Sequence, residues 1–373
     1  MVKVKKERMT PADRMMLAMG LEEPDRVPVG FLPLTIGARL AGVTVDKFSQ
    51  DAKLMAKGQM VLYERFAPDF VLPFPDVSSI AEAWNTKTKF VEESTPYTIE
   101  FAVKKAEDWE DIDIISPNEW WSERGRIPIV LEAQDILIDK YESELPVLGL
   151  MASPLTIASW IAGLSMVSKD MIKNPDLLNI GLDRIAESMI NLVKAYYDNG
   201  IAVCYMACTR ATREIYGLTQ YVDFGVTYDL KVLNACKSYM TFMGHVCGRE
   251  PYLELLTPLY PFVGVNFWDR GAVYDLAFAK KKYGSRIPVI GGVDQTTTLL
   301  YGTPRQVEAE CIDAIRQAAA GGGFVLAPGC ELSHDTPDEN IAAVTRAARE
   351  YGTYPISEKV LNFKYEKPAR IGV

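Results

Sequence analysis

Short apolar runs alternate with longer stretches of helical periodicity along most of the chain. The short runs are continuously apolar, which is typical of parallel strands that are buried on both faces. Longer amphipathic segments separate them, so the pattern predicts repeated βα units. The eight predicted strands are residues 27–31, 70–74, 147–151, 202–206, 241–247, 262–267, 288–292 and 324–327.

Helical periodicity is clearest in residues 52–67 and 179–199, where apolar side chains recur at helical spacing. Two further helix starts carry a Thr-Pro pair. Thr10 and Thr303 are the expected N-caps there, each followed by proline at the first helical position. Eight strands with intervening helices favour an α/β fold of the (β/α)8 TIM barrel type. A doubly wound open sheet is the alternative.

Residues 86–103 do not fit a bare barrel. This segment carries β-branched and aromatic residues on both sides of a turn-like sequence at residues 93–96. It predicts a β-hairpin inserted after the second strand. Since no repeat or low-complexity linker divides the chain, we expect residues 1–373 to form a single TIM-barrel domain with an N-terminal helical extension.

Composition and charge exclude several classes of protein. Of the 373 residues, 48% are hydrophobic and 24% are charged, with a formal net charge of −9, which is ordinary for a globular protein. The acidic balance argues against a nucleic-acid partner, because phosphate binding needs a basic face. We expect no membrane span, since no apolar run reaches about 18 residues, and no secretory signal at residues 1–14. Six cysteines without a CxxC pair indicate a cytoplasmic protein.

The sharpest chemical feature is the segment 244–248 (GHVCG), at the end of the fifth predicted strand. Residues i and i+2 of a strand face the same side, so His245 and Cys247 present an imidazole and a sulfur to one point. Cys330 follows the eighth predicted strand and should lie on the same rim of a barrel. One nitrogen and two sulfurs suit zinc with one position left for substrate. The alternative is a buried histidine and a buried thiol at His245 and Cys247, with Cys330 as a loop cysteine that has no role.

A family resemblance rests on His-x-Cys, a long gap, and Pro-Gly-Cys before Thr-Pro-x-Glu-Asn. This pattern resembles the zinc methyltransferases of corrinoid-dependent methyl transfer. They belong to the uroporphyrinogen decarboxylase superfamily and include methylcobamide:coenzyme M methyltransferases and components of O-demethylases. Further similar segments are residues 24–29, 149–163, 291–294, 301–304 and 324–340.

The resemblance implies a (β/α)8 barrel that binds Zn2+ through His245, Cys247 and Cys330. It also implies a corrinoid supplied by a separate partner protein, since the chain contains no Asp-x-His-x-x-Gly motif for binding corrinoid itself. The other expected partner is a small-molecule methyl donor or acceptor. A homodimer is left open.

Three carboxylates near the expected rim are candidate catalytic residues. Asp76 follows the second predicted strand and matches an aspartate of the superfamily, Asp294 follows the seventh strand, and Glu331 follows Cys330 directly. Each could carry a proton, and Asp294 or Glu331 could add a contact to zinc. The alternatives are helix N-caps for Asp76 and Asp294, and a solvated side chain for Glu331.

The expected reaction is zinc-dependent transfer of a methyl group from a methyl donor, above all an aromatic methyl ether, to the Co(I) corrinoid of the partner. The same ligands would serve transfer from a methyl-corrinoid protein to a thiol of the coenzyme M type. A metal-free lyase resembling uroporphyrinogen decarboxylase is a further alternative. It is weaker because residues 30–42 hold one arginine, Arg39, where those enzymes carry several for their substrate's carboxylates. A binding protein without turnover is the non-enzymatic alternative.

Overall fold

The computed structural model describes residues 7–366, and part of the basic start of the chain, residues 1–6, lies outside that range. The strands of the described residues are β1 (Lys87–Val91), β2 (Ser94–Glu100), β3 (Gly149–Ala152), β4 (Val203–Ala207), β5 (Thr241–Val246), β6 (Phe262–Phe267), β7 (Val289–Val293) and β8 (Phe324–Pro328). β1 and β2 form an antiparallel hairpin, and β3 to β8 form a parallel sheet in chain order.

Helices separate the strands of the parallel sheet. The α-helices of the described residues are α1 (Pro11–Met19), α2 (Ile36–Ala41), α3 (Val45–Phe48), α4 (Ala52–Phe66), α5 (Ser78–Ala81), α6 (Pro117–Ser122), α7 (Ile127–Tyr141), α8 (Pro154–Ala162), α9 (Leu164–Lys173), α10 (Pro175–Asp198), α11 (Leu218–Tyr221), α12 (Thr227–Cys236), α13 (Leu253–Leu259), α14 (Leu276–Tyr283), α15 (Thr298–Tyr301), α16 (Pro304–Ala318), α17 (Asp338–Tyr351) and α18 (Glu358–Leu361). The predicted caps are confirmed, since the side chains of Thr10 and Thr303 accept hydrogen bonds from the first turns of α1 and α16.

The first two predicted strands close the barrel, but each is reduced to a single bridge. Val29 pairs in parallel with Leu326 of β8, and Val71 pairs in parallel with Val147, just before β3. The backbone N–H of Asp69 donates to the carbonyl oxygen of Val29 at 2.7 Å, which links the two segments to each other. The sheet is therefore a closed ring rather than an open one, and the predicted (β/α)8 fold is confirmed.

Proline explains why these two segments are shorter than predicted. A proline has no N–H to donate to a sheet ladder. Prolines lie within or beside both segments, at positions 28, 33, 68, 73 and 75. The remaining predicted strands agree with β3 to β8 to within two residues at either end.

The predicted hairpin at residues 86–103 is confirmed as β1 and β2. The turn lies at Glu92 and Glu93, ahead of the predicted residues 93–96, because β2 already begins at Ser94. Glu93, Ser94 and Thr95 line a surface cavity together with Thr35 and Glu331. The insertion therefore lies at the end of the barrel where β8 ends. That residues 1–373 form one domain stays a prediction.

Burial follows the apolar runs. Every residue of β3, β7 and β8 is buried, which matches strands that are covered by helices on the outside and by the barrel interior on the other face. Among residues 7–366, no helix combines the length and apolarity that crossing a bilayer would demand.

Candidate metal centre at the carboxyl ends of the strands

Three side chains converge at the carboxyl end of the barrel. His245 lies in β5, Cys247 follows that strand directly, and Cys330 lies two residues after β8. His245 Nε2 is 3.0 Å from Cys247 Sγ and 3.6 Å from Cys330 Sγ. All three donor atoms lie within 4.8 Å of one another. The structure thus brings the three sequence-predicted ligands to one point.

Within residues 7–366 this is the one group of three or more His, Cys, Asp or Glu side chains with donor atoms placed to hold a metal ion. The imidazole of His245 is 4% exposed, while both cysteines are partly exposed. The nitrogen is therefore fixed inside the barrel and the two sulfurs face its mouth. This arrangement can hold an ion with one side open to solvent, as catalytic sites do.

The two thiols and the imidazole affect one another's protonation. A hydrogen bond from Cys330 lowers the pKa of Cys247, and the same contact, with burial, raises the pKa of Cys330 well above its ordinary value. Burial acts to lower the pKa of His245, but the neighbouring Cys330 outweighs it and the net shift is upward. Three groups thus compete for protons at one point, where a bound cation would favour both sulfurs as thiolates.

A cavity of about 440 Å³ opens beside the three donors. It is lined by Glu214, Cys247, Gly248, Arg249, Trp268, Gln295, Thr296, Gly329 and Cys330. Trp268 supplies a flat aromatic wall, and the guanidinium of Arg249 lies 6.0 Å from the centre of its ring. A small molecule that reaches the cysteines therefore meets an aromatic face and a cation.

The structure places Asp76 in a salt bridge. Its side chain is fully buried and bonds to Arg126 through both oxygens, at 2.6 and 2.9 Å. It also accepts the backbone N–H of Ser78 at 3.0 Å. Asp76 does not belong to the donor group, and its charge is neutralised by an arginine 50 residues further along the chain.

Asp294 organises the turn that follows β7. Its carboxylate accepts hydrogen bonds from the hydroxyls of Thr296 at 2.7 Å and Thr297 at 2.8 Å, and from the backbone N–H of Thr296 at 2.8 Å. These are the contacts of an aspartate that caps a turn. They do not make it the helix N-cap that the sequence offered as the alternative, because the next helix, α15, begins at Thr298 and has Thr297 at its N-cap position. The structure does not bring Asp294 into the donor group.

Glu331 lines a cavity at the mouth of the barrel, and among residues 7–366 no lysine or arginine forms a salt bridge with it. It accepts hydrogen bonds from the hydroxyl and backbone N–H of Thr35, at 3.2 and 3.4 Å. Burial raises the pKa of Glu331 to about 7. The residue lines a cavity of about 410 Å³, and Gln295 and Thr296 line both this cavity and the one beside the cysteines.

Sequence reasoning missed Asn266, which lies beside the donors. Asn266 lies next to His245 in the register of β5 and β6, and its Oδ1 is 2.7 Å from His245 Nδ1. A lone amide inside the apolar strand FVGVNF was the available signal. Arg210 donates from Nε to Ser159 Oγ at 2.7 Å, and burial lowers its pKa. In the described part of the chain, no carboxylate pairs with Arg210.

These observations define a (β/α)8 barrel with a histidine, a cysteine and a second cysteine gathered at its mouth. The model of the family described as uroporphyrinogen decarboxylase (URO-D) matches residues 10–351, and the chain belongs to this family.

Particular relatives are methyltransferases. Methylcobamide:CoM methyltransferase MtaA of Methanosarcina barkeri is 31% identical over 229 residues. The matched region covers 61% of this chain and 65% of that protein, which is just under two thirds of its length. Methylcobamide:CoM methyltransferase MtbA of Methanosarcina acetivorans is 26% identical over 349 residues, 92% of this chain and 98% of that protein. A solved structure of a methyltransferase from Methanosarcina mazei has a TM-score of 0.82 and 26% identity, and covers 92% of this chain and 99% of that one. The predicted kinship with methylcobamide methyltransferases is confirmed.

Proposed function

We propose that this protein is a zinc-dependent methyltransferase that exchanges a methyl group with the corrinoid of a separate protein. The convergence of His245 Nε2, Cys247 Sγ and Cys330 Sγ within 4.8 Å carries the proposal. Relatives named as methylcobamide:CoM methyltransferases support the corrinoid and thiol chemistry. If the methyl group is transferred from the corrinoid to a thiol, the proposed product is a methyl thioether.

The donor set fits zinc. Two soft sulfurs and one imidazole nitrogen are ligands that zinc prefers, and a three-residue set leaves a position for substrate. His245, Cys247 and Cys330 would hold the ion. When bound there, zinc supplies a Lewis acid that lowers the pKa of a thiol or polarises an ether oxygen.

The chain's own residues then prepare the substrate. The cavity beside the cysteines guides a small molecule to the open side of the donors, with Trp268 as an apolar wall. Arg249 lines that cavity, and the positive charge of Arg210 adds to the hydrogen bond from Cys330 in lowering the pKa of Cys247. Both cations favour a substrate that carries an acid group. We propose Glu331, rather than the salt-bridged Asp76 or the turn-capping Asp294, as the carboxylate that accepts the thiol proton.

In the thiol direction, the sulfur of the substrate attacks the methyl carbon of the methyl-corrinoid partner. The new sulfur–carbon bond forms as the cobalt–carbon bond breaks, and the electron pair stays on cobalt as Co(I). The proton of the thiol leaves before the attack. This direction is our first choice because both named relatives act on CoM.

Transfer from an aromatic methyl ether to Co(I) is the second candidate. The observation that favours it is the indole of Trp268, which faces the cavity and could stack on an aromatic donor. The two candidates share the zinc ligands and differ in the substrate, so one set of assays separates them.

The test is zinc content followed by methyl transfer. Purified protein should hold about one zinc per chain, and Cys330→Ala should lose it, while Cys236→Ala, a cysteine in α12 away from the donors, should keep it. Zinc-loaded protein with methylcobalamin and coenzyme M should convert methyl-Co(III) to Co(I), seen in the visible spectrum.

A parallel assay with Co(I) cobalamin and a methoxylated aromatic compound tests the ether. Activity only there would replace the thiol proposal. Bound zinc without either reaction would contradict methyl transfer to these substrates. No zinc, even after zinc is supplied, would overturn the site, and the metal-free lyase would become the leading hypothesis.

A further inference from the structure

Asn266 is a buried amide that touches three neighbouring segments of the barrel. The residue lies in β6 and is 1% exposed. Its Nδ2 donates to the carbonyl oxygens of Ile290 in β7, at 3.1 Å, and Pro328 in β8, at 3.0 Å. Its Oδ1 lies 2.7 Å from His245 Nδ1 in β5. One side chain therefore joins β5, β7 and the end of β8.

The two carbonyl contacts fix which way the amide points. A backbone carbonyl oxygen only accepts hydrogen bonds, so the NH2 group of Asn266 must face Ile290 and Pro328. The oxygen then faces His245, and an amide oxygen accepts but does not donate. Nδ1 of His245 must therefore carry the hydrogen of the 2.7 Å contact.

This contact decides which nitrogen of His245 is turned toward the sulfurs. With its hydrogen on Nδ1, the ring presents Nε2 to Cys247 and Cys330, the two atoms that lie 3.0 and 3.6 Å away. A histidine that binds a metal through one nitrogen commonly donates from the other to a carbonyl or carboxyl oxygen. Asn266 takes that place here.

The second contact reaches the other arm of the site. Pro328 is the last residue of β8 and lies two residues before Cys330. Its carbonyl bond to Asn266 therefore anchors the point from which the Pro-Gly-Cys segment leaves the barrel. Without this bond, the backbone that carries Cys330 loses a tie to β6.

We propose that Asn266 is the positioning residue of the donor group. It sets the His245 tautomer and anchors the Cys330 segment, so that one amide places two of the three ligands. The inference rests on the proposed function only in naming a metal as the ligand. The tautomer of His245 can be measured on metal-free protein, whatever the protein binds or transfers.

A matched control is present in the same barrel. Asn340 in α17 is also 1% exposed, and its Nδ2 also donates to two carbonyl oxygens, of Leu299 at 2.9 Å and Gly302 at 2.8 Å. Asn340→Ala removes the same kind of hydrogen bonds as Asn266→Ala without touching a donor residue. A purely structural role for Asn266 predicts that the two variants behave alike.

The first measurement is the tautomer of His245 by long-range 1H–15N correlation on metal-free protein labelled in histidine. The chain has two histidines, so a His245→Gln spectrum assigns both rings. We expect a protonated Nδ1 on His245 in wild type and in Asn340→Ala, and loss of that state in Asn266→Ala. An unprotonated Nδ1 in wild type, or an unchanged ring in Asn266→Ala, would overturn the proposal.

The second measurement is the affinity for Zn2+ in competition with a chromophoric chelator. We expect Asn266→Ala to bind zinc about 10- to 100-fold more weakly than wild type, and Asn340→Ala to stay within a factor of about three. Asn266→Asp keeps an oxygen that accepts from Nδ1 and should retain the His245 tautomer. Equal affinities of the two alanine variants would contradict positioning. If wild type binds no zinc, the proposed function fails, and the tautomer result still decides the role of Asn266.

Discussion

The two ends of this barrel both carry clusters of buried polar side chains, and the clusters differ in how their charges are met. At the amino end, Asp69 is fully buried and accepts hydrogen bonds from Arg14 and Arg26. Glu7 and Asp25 complete the pairing of the two arginines. Burial acts to raise the pKa of Glu7, but its arginine partners outweigh it and lower it to about 2. Every charge in this cluster has a partner.

At the carboxyl end, the donors face one another instead of partners of opposite charge. His245, Cys247 and Cys330 compete for the same protons, which moves the pKa values of the two thiols in opposite directions. The ion pairs at the amino end stabilise the fold, whereas the three donor atoms at the carboxyl end are close enough together to hold a ligand. The location of the three donors agrees with ligand binding, because (β/α)8 enzymes have their active sites at the carboxyl ends of the strands.

The largest effect should come from the amino-end network. Asp69→Asn leaves two buried guanidinium groups short of one anion. We expect the free energy of unfolding, measured by urea denaturation of metal-free protein, to fall by about 3–5 kcal/mol. Zinc affinity of the folded variant should stay within a factor of about three. A loss below about 1 kcal/mol, or a selective loss of zinc, would show that the two ends do not divide stability and chemistry in this way.

Removing one donor should have the opposite effect, with a large loss of zinc affinity and little change in stability. Cys330→Ser takes away one of three ligands from a binding free energy on the order of 10 kcal/mol, so zinc affinity should fall at least about a hundredfold. The urea midpoint of the metal-free variant should stay near that of wild type, because Cys330 is partly exposed. Cys236→Ala is the control for cysteine loss. Zinc affinity that is unchanged in Cys330→Ser would exclude this residue as a ligand.

Asp76 lies toward the carboxyl ends of the strands but is paired with an arginine. It therefore tests whether a residue at that end of the barrel can contribute to stability rather than to chemistry. Arg126 retains Glu82 when Asp76 loses its charge, so Asp76→Asn should cost less than Asp69→Asn, about 1–3 kcal/mol of unfolding free energy. Zinc affinity and the rate of methyl transfer per folded molecule should change little. A large loss of rate with unchanged stability would restore the catalytic role that the sequence suggested for Asp76.

The sequence predicted the three metal ligands but not the hydrogen-bond partners of the residues around them. His245 and Cys247 could be paired because i and i+2 of a strand share a face, and Cys330 joined them because a barrel gathers the ends of its strands. The partner of Asp76 could not be predicted, since Arg126 lies in a segment without a strand signal. Asn266 was hidden for a similar reason, because its three contacts exist only after β5, β7 and β8 have taken their register.

The same limit applies to the two shortened strands. Residues 27–31 and 70–74 have the apolar composition of barrel strands, and each does complete the ring. Composition did not show that their prolines leave one bridge apiece, because pairing depends on which N–H groups face the neighbour. The order of strands was therefore predictable, and the extent of pairing was not.

The smallest effect should come from a buried carboxylate that has neither an ion network nor a metal-type group around it. Asp229 in α12 is fully buried and accepts hydrogen bonds from the hydroxyls of Tyr221 at 3.0 Å and Tyr260 at 2.7 Å. No lysine or arginine among residues 7–366 forms a salt bridge with it. Burial raises the pKa of Asp229 to about 7, against 3.8 for an ordinary aspartate.

Between those two pH values the folded protein keeps a proton that the unfolded chain has lost, so stability falls as pH rises toward 7 and levels off above it. From pH 6 to pH 8 this group should lower the free energy of unfolding by about 1.4 kcal/mol. Asp229→Asn imitates the protonated acid and should therefore lack that part of the pH dependence. The stability of the variant relative to that of wild type should be greater at pH 8 than at pH 6. Urea denaturation of both proteins at pH 6, 7 and 8 measures it. Parallel curves would mean that Asp229 is ionised throughout, and that an anion in this barrel can be stabilised by two tyrosines without the arginines that the amino-end network uses.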